Sequence, residues 1–173
     1  LKNLIVTRHL KGAQDETFSG FCTVSAVQPG VLGTTGVESV ELVRGAAERV
    51  RPDLILAVDA LAAREPSRVC TTVQLADTGI VPGSGVGNSR AAFNRETLGV
   101  PVLAVGVPTV VDARTLLNGE EALGDFHNCI SGMVVTPRDI DARVREIARV
   151  IGYAIDLALH RGLAIEDVPC FLA

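Results

Sequence analysis

The 173 residues carry 16 Lys and Arg against 20 Asp and Glu, a net charge of -4, which speaks against the basic footprint that nucleic acid demands. Apolar residues make up 47%, which excludes a disordered chain, and the length suits a single domain spanning 1–173. Aromatics are only 3% and Trp is absent, so the expected core is Val, Leu, Ile and Ala, the composition of a parallel sheet covered on both faces.

In chain order, Leu1 to Leu10 places Leu1, Leu4 and Ile5 on one helical face and reads as the tail of a helix. Phe21 to Val27 alternates weakly and reads as a strand, closed by the Pro29-Gly30 turn. Thr35-Gly36-Val37-Glu38 has the capping-box form, with Val40, Val43, Ala47 and Val50 following at helical spacing until Pro52. Leu54 to Val58 is an unbroken aliphatic run ending in Asp59, the pattern of a central parallel strand. Val69 to Ala76 is a second strand candidate, and 77–90 is a Gly-rich loop. A short helix is expected within 91–98, a strand over Pro101 to Val107 closed by Pro108, and a helix from Thr109 to Leu117. The interval 118–131 lacks periodicity and reads as a loop. Met133 to Val135 is a short strand, and Thr136-Pro137-Arg138-Asp139 is a helix entry. Ile140, Val144, Ile147, Ile151, Ala154, Ala158 and Leu159 form an apolar stripe on a helix ending near His160. Strands alternating with helices predict an α/β three-layer sandwich around a mostly parallel sheet, with its site at the carboxyl ends of the strands.

Asp59 is the sharpest candidate. An acid at the end of a buried strand sits in low dielectric, which favours its protonated form and suits acid–base work. The alternative is a helix cap for Ala60-Leu61-Ala62-Ala63-Arg64. The loop containing Asp77, Thr78, Gly83, Ser84, Gly85 and Asn88 does not have the spacing of either Gly-rich phosphate motif. It reads as a turn-rich loop or as a backbone ledge for an extended peptide beside Asp59. Asp112 is a second possible crevice acid or a helix-start acid. His9, His127 and His160 are scattered, and Ser84 lacks the nucleophile-elbow motif, so neither a zinc site nor a serine triad is supported. The four cysteines, Cys22, Cys70, Cys129 and Cys170, form no C-x-x-C pair and read as reduced, mostly buried thiols of a cytoplasmic protein. The longest apolar stretch, 98–111, is broken by Gly and Pro and falls short of the ~20 residues of a membrane helix, and no signal-peptide pattern is visible.

Several stretches then become familiar: Pro29-Gly30-Val31, Thr35 to Glu38, Ala57 to Arg64, Asp77 to Ile80 with Pro82 to Asn88, Glu96 to Val102, Gly106 to Ala113, and Val135-Thr136-Pro137. Together they resemble the spore germination protease family, most specifically over 77–88 and 106–113. The resemblance implies a fold like that of hydrogenase-maturation endopeptidases (phosphorylase/hydrolase-like), with no cofactor and no metal. It implies cleavage of the small acid-soluble proteins that coat spore DNA, in the cytoplasm of the spore core, by a homotetramer made as a zymogen; charge and hydropathy predict no direct contact to nucleic acid or membrane. It also implies a two-aspartate mechanism in which Asp59 is the second acid; the first lies in a Gly-rich turn upstream of the segment matching Leu4 to His9. On this reading the chain lacks its N-terminal strand and turn and a long insertion between about 114 and 132, and is by itself inactive. The alternatives are a nickel-dependent maturation peptidase of the related fold and a non-catalytic peptide-binding remnant.

Overall fold

In the computed structural model, which describes residues 2–10, 18–88, 90–116 and 130–172, the aliphatic runs become strands of one sheet. Pro29–Ile140 form one compact unit; Leu1–Gln28 with Asp141–Ala173 form another. In chain order the first contains α1 (Leu32–Thr35), α2 (Ser39–Val50), β1 (Ile55–Ala63), β2 (Gln74–Ala76), α3 (Arg95–Leu98), β3 (Val102–Asp112) and β4 (Val134–Val135). Helices α4 (Ile140–Leu159) and α5 (Val168–Phe171) follow. The predicted loop at 118–131 lies almost wholly outside the described residues.

The α/β class holds, but the sheet is mixed rather than mostly parallel. Its order is β1-β3-β2 with β4 also on β3; β1 and β3 run parallel, whereas β2 and β4 each pair antiparallel with β3. The reason is connection length. Residues 64–73 separate β1 from β2, fewer than the dozen or so that a parallel crossover needs, so the chain turns through Pro66–Arg68 and comes back antiparallel. This connection occupies most of the predicted 69–76 strand, leaving only three residues to pair.

Helix α2 starts later than the Thr35 capping box predicts. Thr35 instead ends α1, and the carboxylate of Glu41 accepts the Glu38 N–H at 3.2 Å, so the box is built from two glutamates. Val40 of α2 packs with Phe93, Leu98 and Val102 in the main core, joined by Val43, Ile55 and Ala57. A smaller core holds Ala63, Val69 and Val111.

Strand β3 passes through Pro108, the predicted stop, and replaces the expected helix at 109–117 down to Asp112; a 3-10 turn then spans Ala113–Leu116. The pairing absorbs the proline by an irregularity: Leu61 faces Pro108 and Ala62 faces Val110, so Thr109 is skipped. Lacking an N–H, proline tolerates such a bulge, and its carbonyl accepts the Cys70 N–H at 2.7 Å.

In the other unit, residues 2–10 are not a helix tail; only Arg8–Leu10 make a 3-10 turn. The predicted strand at 21–27 reduces to one bridge, Phe21 to His160. Thr7 supplies the pairing there: its hydroxyl donates to the Cys22 carbonyl at 2.6 Å and accepts the Val24 N–H at 2.8 Å. The α4 stripe is rotated from the prediction. Val144, Ala154 and Ala158 are exposed, whereas Gly152 and Asp156 are buried. Asp156 Oδ1 accepts the Ile5 N–H at 2.9 Å, and His160 stacks on Phe21 with ring centroids 4.6 Å apart. Cys22 and Cys170 are free and exposed, against the expectation of mostly buried thiols, and Cys70 is half-buried.

Burial pushes the Asp156 carboxyl above the usual range, opposed by the Ile5 N–H and by His160. A carboxyl whose native pKa is raised stabilises the fold most in acid, and that contribution is lost as pH rises through the raised value. Asp156→Asn keeps an acceptor for the Ile5 N–H and cannot ionise. Thermal melting should therefore give the variant a Tm about 2–4 °C above the parent at pH 8, for about 1 kcal/mol, and no advantage near pH 4. A lower Tm at pH 8 would show that Asp156 stabilises as an ion.

Candidate active site

Asp59 stands in the middle of β1, not at its end. The strand continues through Ala60-Leu61-Ala62-Ala63, so the predicted helix after Asp59, and its capping role, are both absent. Alanine and leucine favour helix locally, but pairing with the Val-rich β3 along the whole run overrides that preference. Asp59 Oδ1 does accept the N–H of Ala60 at 2.9 Å, a local bond made without a helix.

Ile55, Ala57 and Asp59 share one face of the sheet, since side chains alternate along a strand. The first two pack into the core beside α2 and α3. Asp59 lies beyond that cover and lines a cleft of about 330 Å³. Four consecutive residues of β1, Asp59 to Ala62, line it, so the cleft follows the strand's edge. The opposite wall is Val81, Gly83, Ser84, Gly85 and Val86, and Thr109 and Val110 complete it.

The wall depends on two glycines. Gly83 has φ +73, and its carbonyl accepts the N–H groups of Val86 and Asn88 at 3.1 and 3.0 Å, which folds Ser84–Val86 into a 3-10 turn. At Gly85 a Cβ would lie 2.7 Å from Ala62 Cβ, so only glycine lets this turn press against β1.

Of the sequence-predicted residues, Asp59, Gly83, Ser84 and Gly85 come together in the cleft. Asp77 and Thr78 form an exposed turn after β2, and Asn88 is exposed with its N–H committed to Gly83; none of the three lines the cleft. Asp112, the other acid considered, ends β3 and binds Arg114, whose N–H and Nε both donate to Oδ1 at 2.9 Å. Sequence reasoning missed Thr109 and Val110. The available signal was Pro108 inside an aliphatic run, which marks a bulge that can redirect neighbouring side chains.

Asp59 is the one ionisable side chain lining the cleft among the described residues. Its half-buried carboxyl is pushed above the usual range by desolvation, an effect partly offset by the Ala60 N–H. It therefore holds its proton to higher pH than a solvated aspartate, the property a proton donor needs. Among the described residues no three His, Cys, Asp or Glu side chains group as a metal centre would require. Nor, among them, is any helix long and apolar enough to cross a membrane.

A family model described as germination protease matches residues 1–124, which include β1, the glycine wall and the Thr109 bulge. A germination protease of Caldanaerobacter subterraneus is 40% identical over 201 aligned positions, covering 97% of this chain and 62% of the relative. One from Clostridium perfringens is 37% identical over 202, covering 98% and 62%. A Bacillus pumilus germination protease is 54% identical over 117, covering 67% and 32%. The chain thus spans about three-fifths of the length of the first two relatives. On the family match across its first 124 residues, the chain belongs to the germination protease family.

Proposed function

We propose that the protein is an endopeptidase of spore germination, using Asp59 as one of two catalytic acids on small acid-soluble spore proteins. The observation that carries this reading is a carboxyl, its pKa raised by burial, lining a cleft whose opposite wall is glycine-rich backbone. Metal-free peptide hydrolysis needs one carboxylate to take a proton from water and one carboxylic acid to protonate the carbonyl or the leaving amine. Asp59 suits the donor role. The second carboxylate comes from outside the lining residues, as the resemblance implies. The glycine wall presents backbone to an extended peptide, which main-chain hydrogen bonds can align. The reading includes the resemblance's zymogen, tetramer and spore-core setting, and its fold kinship with hydrogenase-maturation endopeptidases. Among the described residues no donor group favours the nickel alternative.

The test is incubation of the full-length protein with a purified small acid-soluble spore protein, following fragments by mass spectrometry. Discrete internal cuts are expected, at a rate that falls as pH rises through the raised pKa of Asp59, because the donor loses its proton. Binding without cleavage would favour a peptide-binding role, which the single cleft carboxyl also permits.

A further inference from the structure

Thr109 is placed in the cleft by a feature that the two-acid chemistry does not use. The pairing of β1 with β3 skips it, so Thr109 is the extra residue of a bulge that has Pro108 on one side and Val110 on the other. Three observations show that the bulge is built into the fold. Pro108 is among the most deeply buried residues of the chain, and the Cys70 N–H holds its carbonyl at 2.7 Å. The hydroxyl of Thr136 donates to the Thr109 carbonyl at 2.8 Å, which fixes the bulged peptide from the β4 side. Thr109 itself is half-buried at the wall of the same cleft as Asp59, and its hydroxyl has no partner among the described residues. A cleft-lining residue on a clamped backbone, with a hydroxyl free to donate, is suited to meet a ligand oxygen.

We infer that Thr109 contacts the substrate, its hydroxyl donating a hydrogen bond to the carbonyl oxygen of the scissile peptide. This rests on the proposed hydrolysis in the Asp59 cleft. As water gives a proton to the second carboxylate and its oxygen adds to the carbonyl carbon, negative charge grows on the carbonyl oxygen and the hydrogen bond strengthens. The C–N bond then breaks and the amine leaves with a proton from the acid, while Thr109 keeps its own proton throughout. A bond that strengthens in the transition state raises kcat more than it lowers KM.

The experiment compares Thr109→Val, Thr109→Ser and Asp59→Asn in the full-length protein, with a purified small acid-soluble spore protein as substrate. Valine keeps the shape and strand preference of threonine without the hydroxyl. It should lower kcat by about 100-fold with KM changed less than about threefold. Serine should stay within about fivefold of the parent. If Thr109→Val loses its fold by circular dichroism, Thr109→Ala reads the same loss of hydroxyl. Near-parental kcat without the hydroxyl, or equal losses for Val and Ser, overturns the inference. Should Asp59→Asn be inactive while Thr109→Val is not, only the role of Thr109 fails. Should Asp59→Asn stay fully active, the cleft reading fails and Thr109 falls with it.

Discussion

Asp59→Asn should lower peptide cleavage by the full-length protein about a thousandfold or more while leaving its melting temperature within about 2–4 °C of the parent. Positioned acid–base groups contribute roughly 10²–10⁴-fold, and an amide cannot supply the proton. The structure predicts that the fold survives. Asn has nearly the same shape and still offers an oxygen to the Ala60 N–H, the bond that Asp59 makes at 2.9 Å. The half-buried carboxyl is disfavoured as an ion, so a neutral group of nearly the same shape suits the position. Initial rates and a thermal melt on the same preparation separate the two effects. Lost activity with a lost fold would give Asp59 a structural part, and retained turnover would move the chemistry to another group.

Gly152→Ala should destabilise the unit that holds α4 by about 3 kcal/mol, a fall of roughly 6–12 °C in Tm. The sign is the point of interest. In an exposed helix interior alanine is better than glycine by about 1 kcal/mol. Here a Cβ at Gly152 would lie 2.0 Å from the backbone oxygen of Asn3 and 2.8 Å from its Cβ. Asn3 cannot simply retreat. One helical turn further along, Asp156 holds the Ile5 N–H at 2.9 Å, so the chain just beyond Asn3 is fixed to α4. Melting curves measure the shift directly. A rise in Tm would mean that the N-terminal segment does not pass over Gly152.

Local pattern carried the reading furthest where one element decides its own fate. The run at 54–58 is a strand, the 140–159 segment is a helix, and the Gly-rich stretch supplies a loop, because length, periodicity and glycine content act within a few residues. It failed where a partner strand decides. Ala60 to Ala63 reads as helix alone and becomes strand because β3 pairs with it; 109–112 does the same against β1 and β4. In α4 the apolar stripe pointed to Ala154 and Ala158, but the buried line runs through Gly152 and Asp156. A glycine and an acid carry no hydrophobic signal. Their burial follows from a backbone oxygen and an N–H of the N-terminal segment far away in sequence.

The candidate site divides in the same way. By itself the sequence determined that Asp59 is an acid directly following an aliphatic strand run and that glycines at 83 and 85 form a loop. These are properties of residue type and neighbours, and they carried the family resemblance. Only the tertiary structure decided that Asp59 sits mid-strand, that Gly83 to Gly85 face it while Asp77, Thr78 and Asn88 do not, and that Thr109 joins the wall. The physical reason is that register, bulge and close approach are set between chain segments, by hydrogen bonds and steric fit that no single segment encodes.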